Sequence, residues 1–274
     1  MQNELKSAIR FDDFHAVFGA QGVVAMAWWL GAKHAEQIRA EQHGFPFLYI
    51  TGSTGSGKTS LLSYLWALNG LDSLTSYSPW HATPRGLARI IANAGDSPVI
   101  LESSNDFEHE SKFDWEQIAS LYNGGTLSVH SPSEQTQATF KGTLVISANP
   151  PIECSDALES RMVRVMLTTP HTTESRHHAQ ALYQLTSEQA GAFGRALDQR
   201  ADQTVSSVNR LAPAYSATLY EKHPAQPSSR VAKNGGLLMA LVDVLSLLLN
   251  LTEEQRRSAL NQVEHNVGLA SIPY

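Results

Sequence analysis

The sequence predicts an α/β protein, a mostly parallel sheet flanked by helices, with a helical segment before it and a helical part after it. Three observations carry that prediction. Short apolar runs, FLYI (47–50), PVIL (98–101), TLVIS (143–147) and MVRVML (162–167), alternate with stretches of helical pattern, as in a sheet covered on both faces. A glycine loop, GSTGSGKTS (52–60), separates the first apolar run from the helical pattern that follows. Beyond Pro170 the β-branched runs cease and helical patterning takes over.

The elements follow in order. Residues 14–42 read as an Ala-rich helix, apolar early and charged towards KHAEQIRAEQ, until Gly44 and Pro46 break it. FLYI, bounded by Pro46 and Gly52, suits a buried strand, and a helix runs from Lys58 to Leu68, where Asn69-Gly70 stops it. LTSYS (74–78) has strand composition. TPRGLARIIANA (83–94) is a helix with Thr83 as its cap and Pro84 in its first turn. PVIL is the second buried strand, and residues 113–122 are helical. TLSVHS and QATFKG (126–131, 137–142) flank a polar tip and predict a hairpin. TLVIS and MVRVML complete the sheet, after which 173–200 and 228–262 are helical around an irregular connector at 213–229. The expected division is a helical segment over 1–45, a phosphate-binding core over 46–170 and a helical part over 171–274.

Composition bounds the function. A chain of 274 residues with 42% hydrophobic and 17% charged residues can bury a sizeable core and is not of disordered composition. Its formal net charge of −6 argues against coating nucleic acid non-specifically, while leaving room for a few cations focused in a channel. A single cysteine, Cys154, excludes an internal disulfide and a cysteine-based zinc cluster. The N-terminus lacks the apolar stretch of a signal peptide, and the two most apolar segments, 16–32 and 235–251, are short for a span and interrupted by Gln21 and Asp243. A cytoplasmic protein with no membrane partner is the expectation.

The chemistry centres on residues 52–59, which fit G-x-x-x-x-G-K-[ST] without a mismatch. Gly52, Gly55 and Gly57, with Ser53, Thr54 and Ser56 between them, let the backbone curl so that its N–H groups face a phosphate. Lys58 is expected to reach the β- and γ-phosphates of ATP, Thr59 to ligate Mg²⁺, and Ser60 to continue the loop into the helix. Hydrolysis needs a carboxylate at a neighbouring strand end, and Glu102 follows PVIL, with Asp106 further into the loop. Asn149 follows the third strand and is a candidate to orient water; its other reading is a turn-former ahead of Pro150-Pro151. Arg161 and Arg164 are candidates to stabilise phosphate charge, and the ordinary reading of either is a surface arginine or an ion pair.

These elements, in this order, make the chain from about 45 to 170 resemble a superfamily 3 helicase within the AAA+ ring ATPases, a P-loop NTPase architecture. The segment IASLYNGGTLSVHSPSEQTQATFKGTLVISANPP (118–151) is similar to that family's helix, glycine turn, hairpin and asparagine-ending strand. The resemblance implies a hexameric ring in which the hairpin grips single-stranded DNA, with His130 and Lys141 as the candidate contacts. It implies that Arg161 acts as an arginine finger across the subunit interface and that Arg230, in SSRVAKNGGLLMALVDVL, senses nucleotide. Two departures accompany it: Ser103 follows Glu102 where the family has a second acid, and the hairpin tip HSPSEQTQ lacks a basic residue. The implied function is an ATP-driven helicase or translocase for replication of a phage or mobile element, working with other replication proteins. A protein-remodelling ATPase without DNA translocation, and a small-molecule kinase, are the alternatives that the same loop allows.

Overall fold

In the computed structural model four strands form one fully parallel sheet in the order β2-β3-β1-β4, with β1 at Phe47–Thr51, β2 at Val99–Ser104, β3 at Leu144–Asn149 and β4 at Met162–Met166. The structure describes residues 4–104, 113–127, 139–168, 173–223 and 227–269. Thr51 aligns with both Ala148 and Met166, and Ser104 with Asn149, so all four strands end along one edge. Alternate residues feed two cores: Leu48, Ile50, Val145 and Val165 face one side, Phe47, Tyr49, Leu101 and Ile146 the other. Burial on both faces is why each strand reads as an unbroken apolar run.

Helices fill both faces. On the first lie α2 (Phe11–Ala32), preceded by the short α1 (Glu4–Ala8), and α4 (Lys58–Ala67). The other carries α5 (Pro84–Asn93) and a 3-10 helix at Trp115–Asn123. Thr83 caps α5 by accepting from the Gly86 N–H at 3.1 Å, with Pro84 at the first position, as the sequence predicts. α3 (Ala35–Gln42) brings Arg39 under the segment that leads into β3. That buried guanidinium donates to the carbonyls of Phe140 at 2.9 Å and Gly142 at 2.6 Å.

After β4 come α7 (Thr173–Tyr183), α8 (Ser187–Ala190), α9 (Ala192–Asp198), α10 (Ala201–Lys222), α11 (Ser229–Leu249) and α12 (Glu253–Leu269), with α6 (Asp156–Glu159) just before β4. α11 is long and apolar enough to cross a membrane by composition, yet 78% of its most apolar window is buried inside the protein, against α2 and α10.

Several expectations are corrected. The 74–78 stretch forms no strand; it makes one parallel bridge, Tyr77 to Leu101, at the sheet edge. The 14–42 helix is two helices, parted at Lys33-His34, and its first half is itself broken at Gly19. The 213–229 connector is helical as far as Lys222: Pro213 lies on the exposed side of α10, while Val208, Ala212 and Leu219 hold the buried side. A capping box at Thr186 and Gln189 restarts the chain inside 173–200, and Asn250, at φ 51°, divides α11 from α12. Residues 113–122 are helical, in the tighter 3-10 form. The described feet of the hairpin, 126–127 and 139–142, are not strands, and its tip lies outside the described residues.

Candidate functional site

The glycine loop leaves β1 at the carboxyl edge of the sheet and enters α4, the strand–loop–helix setting that the motif requires. Gly52 is obligatory, because a Cβ there would stand 2.6 Å from the Leu167 carbonyl oxygen and 2.5 Å from Ser56 Oγ. Gly55 and Gly57 take φ of 80° and 91°, which other residues adopt only with strain. Gly57 caps α4 with no side chain over its first turn, so the helix end is left open to an anion. Ser53, Thr54 and Thr59 are exposed, whereas Ser56 is buried and its hydroxyl has no partner.

Lys58 folds back onto the loop. Its ammonium donates to the Gly52 carbonyl at 2.6 Å and the Ser53 carbonyl at 3.1 Å. Burial lowers its pKa, and the negative charge of Glu102 pulls the other way. That opposition puts the two side chains within electrostatic reach across the edge of the sheet.

Glu102 lies within β2, which continues past the carboxylate to Ser104 instead of ending before it, whereas Asn149 closes β3, the strand between β2 and β1. The Asn149 carboxamide donates to Thr54 Oγ1 at 3.1 Å, joining β3 to the loop. Glu102 accepts from Ser76 Oγ at 2.7 Å, which fixes the carboxylate just before the strand's end at Ser104. Ser76 is a site residue that the sequence reading missed; its only signal was its place in a polar strand-like stretch. Ser103, standing where a second acid was expected, accepts from the Trp80 indole at 3.3 Å. Thr59 and Glu102 are oxygen donors, the type Mg²⁺ prefers, and no cluster of three or more His, Cys, Asp or Glu suited to a metal occurs among the described residues. A divalent ion would therefore draw most of its ligands from phosphate and water. Asp106 lies outside the described residues.

Arg161 and Lys141 are at the opposite edge. Arg161 immediately precedes β4, its carbonyl accepting from the Phe47 N–H at 2.9 Å, so a whole strand of roughly 3.3 Å per residue separates it from the loop. Its guanidinium lies 5.9 Å from the Tyr122 ring centre, and that of Arg230 lies 6.0 Å from the same ring. Burial and the neighbouring Arg230 charge both lower the Arg161 pKa, and its Nε is buried without a partner. Neither arginine forms an ion pair with a carboxylate among the described residues, while Arg230 donates to Ser160 Oγ at 2.9 Å. Tyr122 donates to Asn234 on α11 at 2.8 Å, and Asn234 donates to the Ser160 carbonyl at 2.9 Å.

Arg164 is accounted for differently. It pairs with Glu159 at 2.6 Å and lies against Tyr49. Lys141 pairs with Glu36 of α3 at 3.5 Å, both more than half exposed. His130 lies outside the described residues.

Comparison with known proteins supports the architecture. No protein-family model matches the chain, and no curated protein matches it significantly. Among solved structures it is similar to a chain described as SCCmec type IV Cch, an active helicase, with a TM-score of 0.62 at 14% identity, covering 89% of this chain and 47% of that one. This chain thus spans about half the length of that protein. The protein has an α/β fold, a parallel sheet with flanking helices, that it shares with that helicase chain.

Proposed function

We propose that this protein is an ATP-dependent DNA helicase or translocase motor of the superfamily 3 kind, assembled as a ring and serving replication of a mobile element. The observation that carries the reading is the division of the site between two edges of one sheet. Lys58, Thr59, Glu102 and Asn149 gather at the loop, whereas Arg161 stands a strand length away, on the far edge, with no carboxylate partner among the described residues. A cation so placed cannot serve its own loop and is free to serve a neighbouring subunit's.

In this reading the loop N–H groups and Lys58 hold the ATP phosphates, and Thr59 and Glu102 would hold Mg²⁺ through oxygen, which would supply charge neutralisation at the phosphates. Glu102, oriented by Ser76, accepts the proton of the water whose oxygen bonds to the γ-phosphorus as the bond to the departing ADP oxygen breaks. Asn149 orients that water by exchanging its bond to Thr54 for one to the reacting group. Arg161 of one subunit stabilises the charge that develops at the next.

The deciding experiment is ATP turnover with and without single-stranded DNA, alongside the protein's mass in solution with nucleotide. Turnover stimulated by DNA in a ring-sized assembly supports the motor. A second reading, a protein-remodelling ATPase, is favoured by the net charge of −6 and by the pairing of Lys141 with Glu36. Turnover indifferent to DNA would select it.

A further inference from the structure

Beside the phosphate loop lies a cavity of about 650 Å³, within the range of small-molecule sites. Its walls come from α2, the loop, α4 and the α7–α8 region, with Phe18, Gln21, Ser56, Gly57, Ser60 and Tyr183 among them.

The α2 wall is specially built. Gly19, at φ 54° and ψ −146°, breaks the helix next to Phe18. Gly22 then lets Phe18 fold back, since a Cβ on Gly22 would stand 2.3 Å from the Phe18 Cβ and 3.1 Å from the Phe14 ring. The Phe18 ring reaches the end of the loop, 3.5 Å from where a Gly57 Cβ would be. Phe14 backs it at 5.1 Å between ring centres. An interrupted helix inside a core has a cost, and here the interruption brings an aromatic ring to the place where a nucleotide on the loop would continue.

One turn on, Gln21 lines the same cavity, and its Oε1 is buried with no hydrogen-bond donor. Ser56, 6% exposed, also lines it with an unpartnered hydroxyl. Unpaired buried polar groups are unfavourable unless a ligand supplies the partner they lack. At the rim, Tyr183 of α7 is hydrogen-bonded to Ser60 of α4 at 2.7 Å, so the helical C-terminal part reaches over the opening.

We propose that this cavity is the nucleobase subsite of the phosphate loop and that Gln21 reads the base, Oε1 accepting from the 6-amino group of adenine while the ring packs on Phe18. The inference rests on the reading that the loop binds a nucleoside triphosphate. Guanine would set its O6, an acceptor, against the same oxygen, so a site built around this acceptor discriminates against it.

The test is equilibrium binding of ATP, GTP, purine riboside triphosphate, which lacks the 6-amino group, and inorganic tripolyphosphate to the intact protein. Wild type is expected to bind ATP about tenfold or more tightly than GTP or the purine analogue. Gln21→Leu should lose that preference for ATP while keeping its affinity for tripolyphosphate and for the purine analogue. The analogue comparison on wild type stands even where the variant fails to fold. Equal binding of ATP and the purine analogue by wild type would overturn the role of Gln21 while leaving the loop intact. Absence of binding by every triphosphate, tripolyphosphate included, would overturn the loop reading and this inference with it.

Discussion

Asn149 donates to the Thr54 hydroxyl at 3.1 Å, tying the end of β3 to the loop that leaves β1. The bond is between exposed groups, so exchanging it for one to a reacting water has little energetic cost. Asn149→Ala is therefore expected to lower kcat for ATP by about a hundredfold while changing nucleotide affinity by less than about threefold. Steady-state kinetics beside direct binding measurements would separate the two. A loss confined to affinity would make Asn149 a strut for the loop and remove it from the chemistry.

Lys58 makes its present bonds to the carbonyls of Gly52 and Ser53 within a loop that glycine geometry already shapes. Lys58→Ala should abolish ATP binding and leave the thermal midpoint of the nucleotide-free protein within about 2 °C of wild type. Calorimetry and a fluorescent nucleotide titration read the two halves. Retained binding would sink the phosphate-loop assignment.

Arg161 and Arg230 share the Tyr122 ring at 5.9 and 6.0 Å, at the sheet edge away from the loop. That position weighs against Arg230 sensing nucleotide within its own subunit. In a ring, mixing Arg161→Ala with Lys58→Ala subunits should restore turnover at interfaces that pair an intact loop with an intact arginine. Arg230→Ala mixed with Lys58→Ala should do the same if the two arginines act as one cationic face. No recovery in mixed assemblies, verified by mass, would place the role of Arg161 elsewhere.

The loop, its strand and its helix were legible because three glycines, a lysine and a hydroxyl at fixed spacing admit few other geometries. The cap at Thr83-Pro84 was legible because capping is local chemistry. What escaped was what tertiary packing decides. Tyr77 alone of the 74–78 stretch bridges to the sheet, since Thr75, Ser76 and Ser78 carry no apolar side chain to hold a full edge strand and Leu74 packs against the core on the other face instead. The 213–229 stretch read as an irregular connector, yet its Pro213 falls where the missing N–H faces water, and the buried face of α10 carries the helix through. Ser76 and Gln21 offered no motif, because their significance lies in what the fold puts beside them: Glu102 in one case, a cavity in the other.

His34, 3% exposed, sits between α2 and α3 with its Nε2 unpartnered. Burial lowers its pKa below the usual 6.5; the charge of Lys33 lowers it further, and Asp198 and Asp96 oppose both. The unfolded chain therefore binds a proton at a higher pH than the folded one. The stability that His34 contributes is full above about pH 6.5 and is lost as pH falls from there through the depressed folded value. His34→Gln should make the fall in thermal midpoint below that pH shallower than in wild type. His15, depressed mainly by burial as well, keeps part of the slope. A slope unchanged by the substitution would show that His34 titrates alike in both states.

Lys141 and Glu36 give a prediction with two opposite signs. The pair is 3.5 Å apart and more than half exposed, so it contributes little stability, and either side chain can be removed without harm to the fold. Arg39 holds the backbone at residues 140–142 by its own hydrogen bonds to the carbonyls. If Lys141 contacts the phosphates of single-stranded DNA, it must leave Glu36 to do so. Lys141→Ala should then weaken DNA binding and reduce the salt slope by roughly one charge, whereas Glu36→Ala should strengthen binding by freeing the lysine and removing a repelling carboxylate. Fluorescence anisotropy across a salt series reads both variants. Affinities that move together, or not at all, would put the DNA contact on other residues.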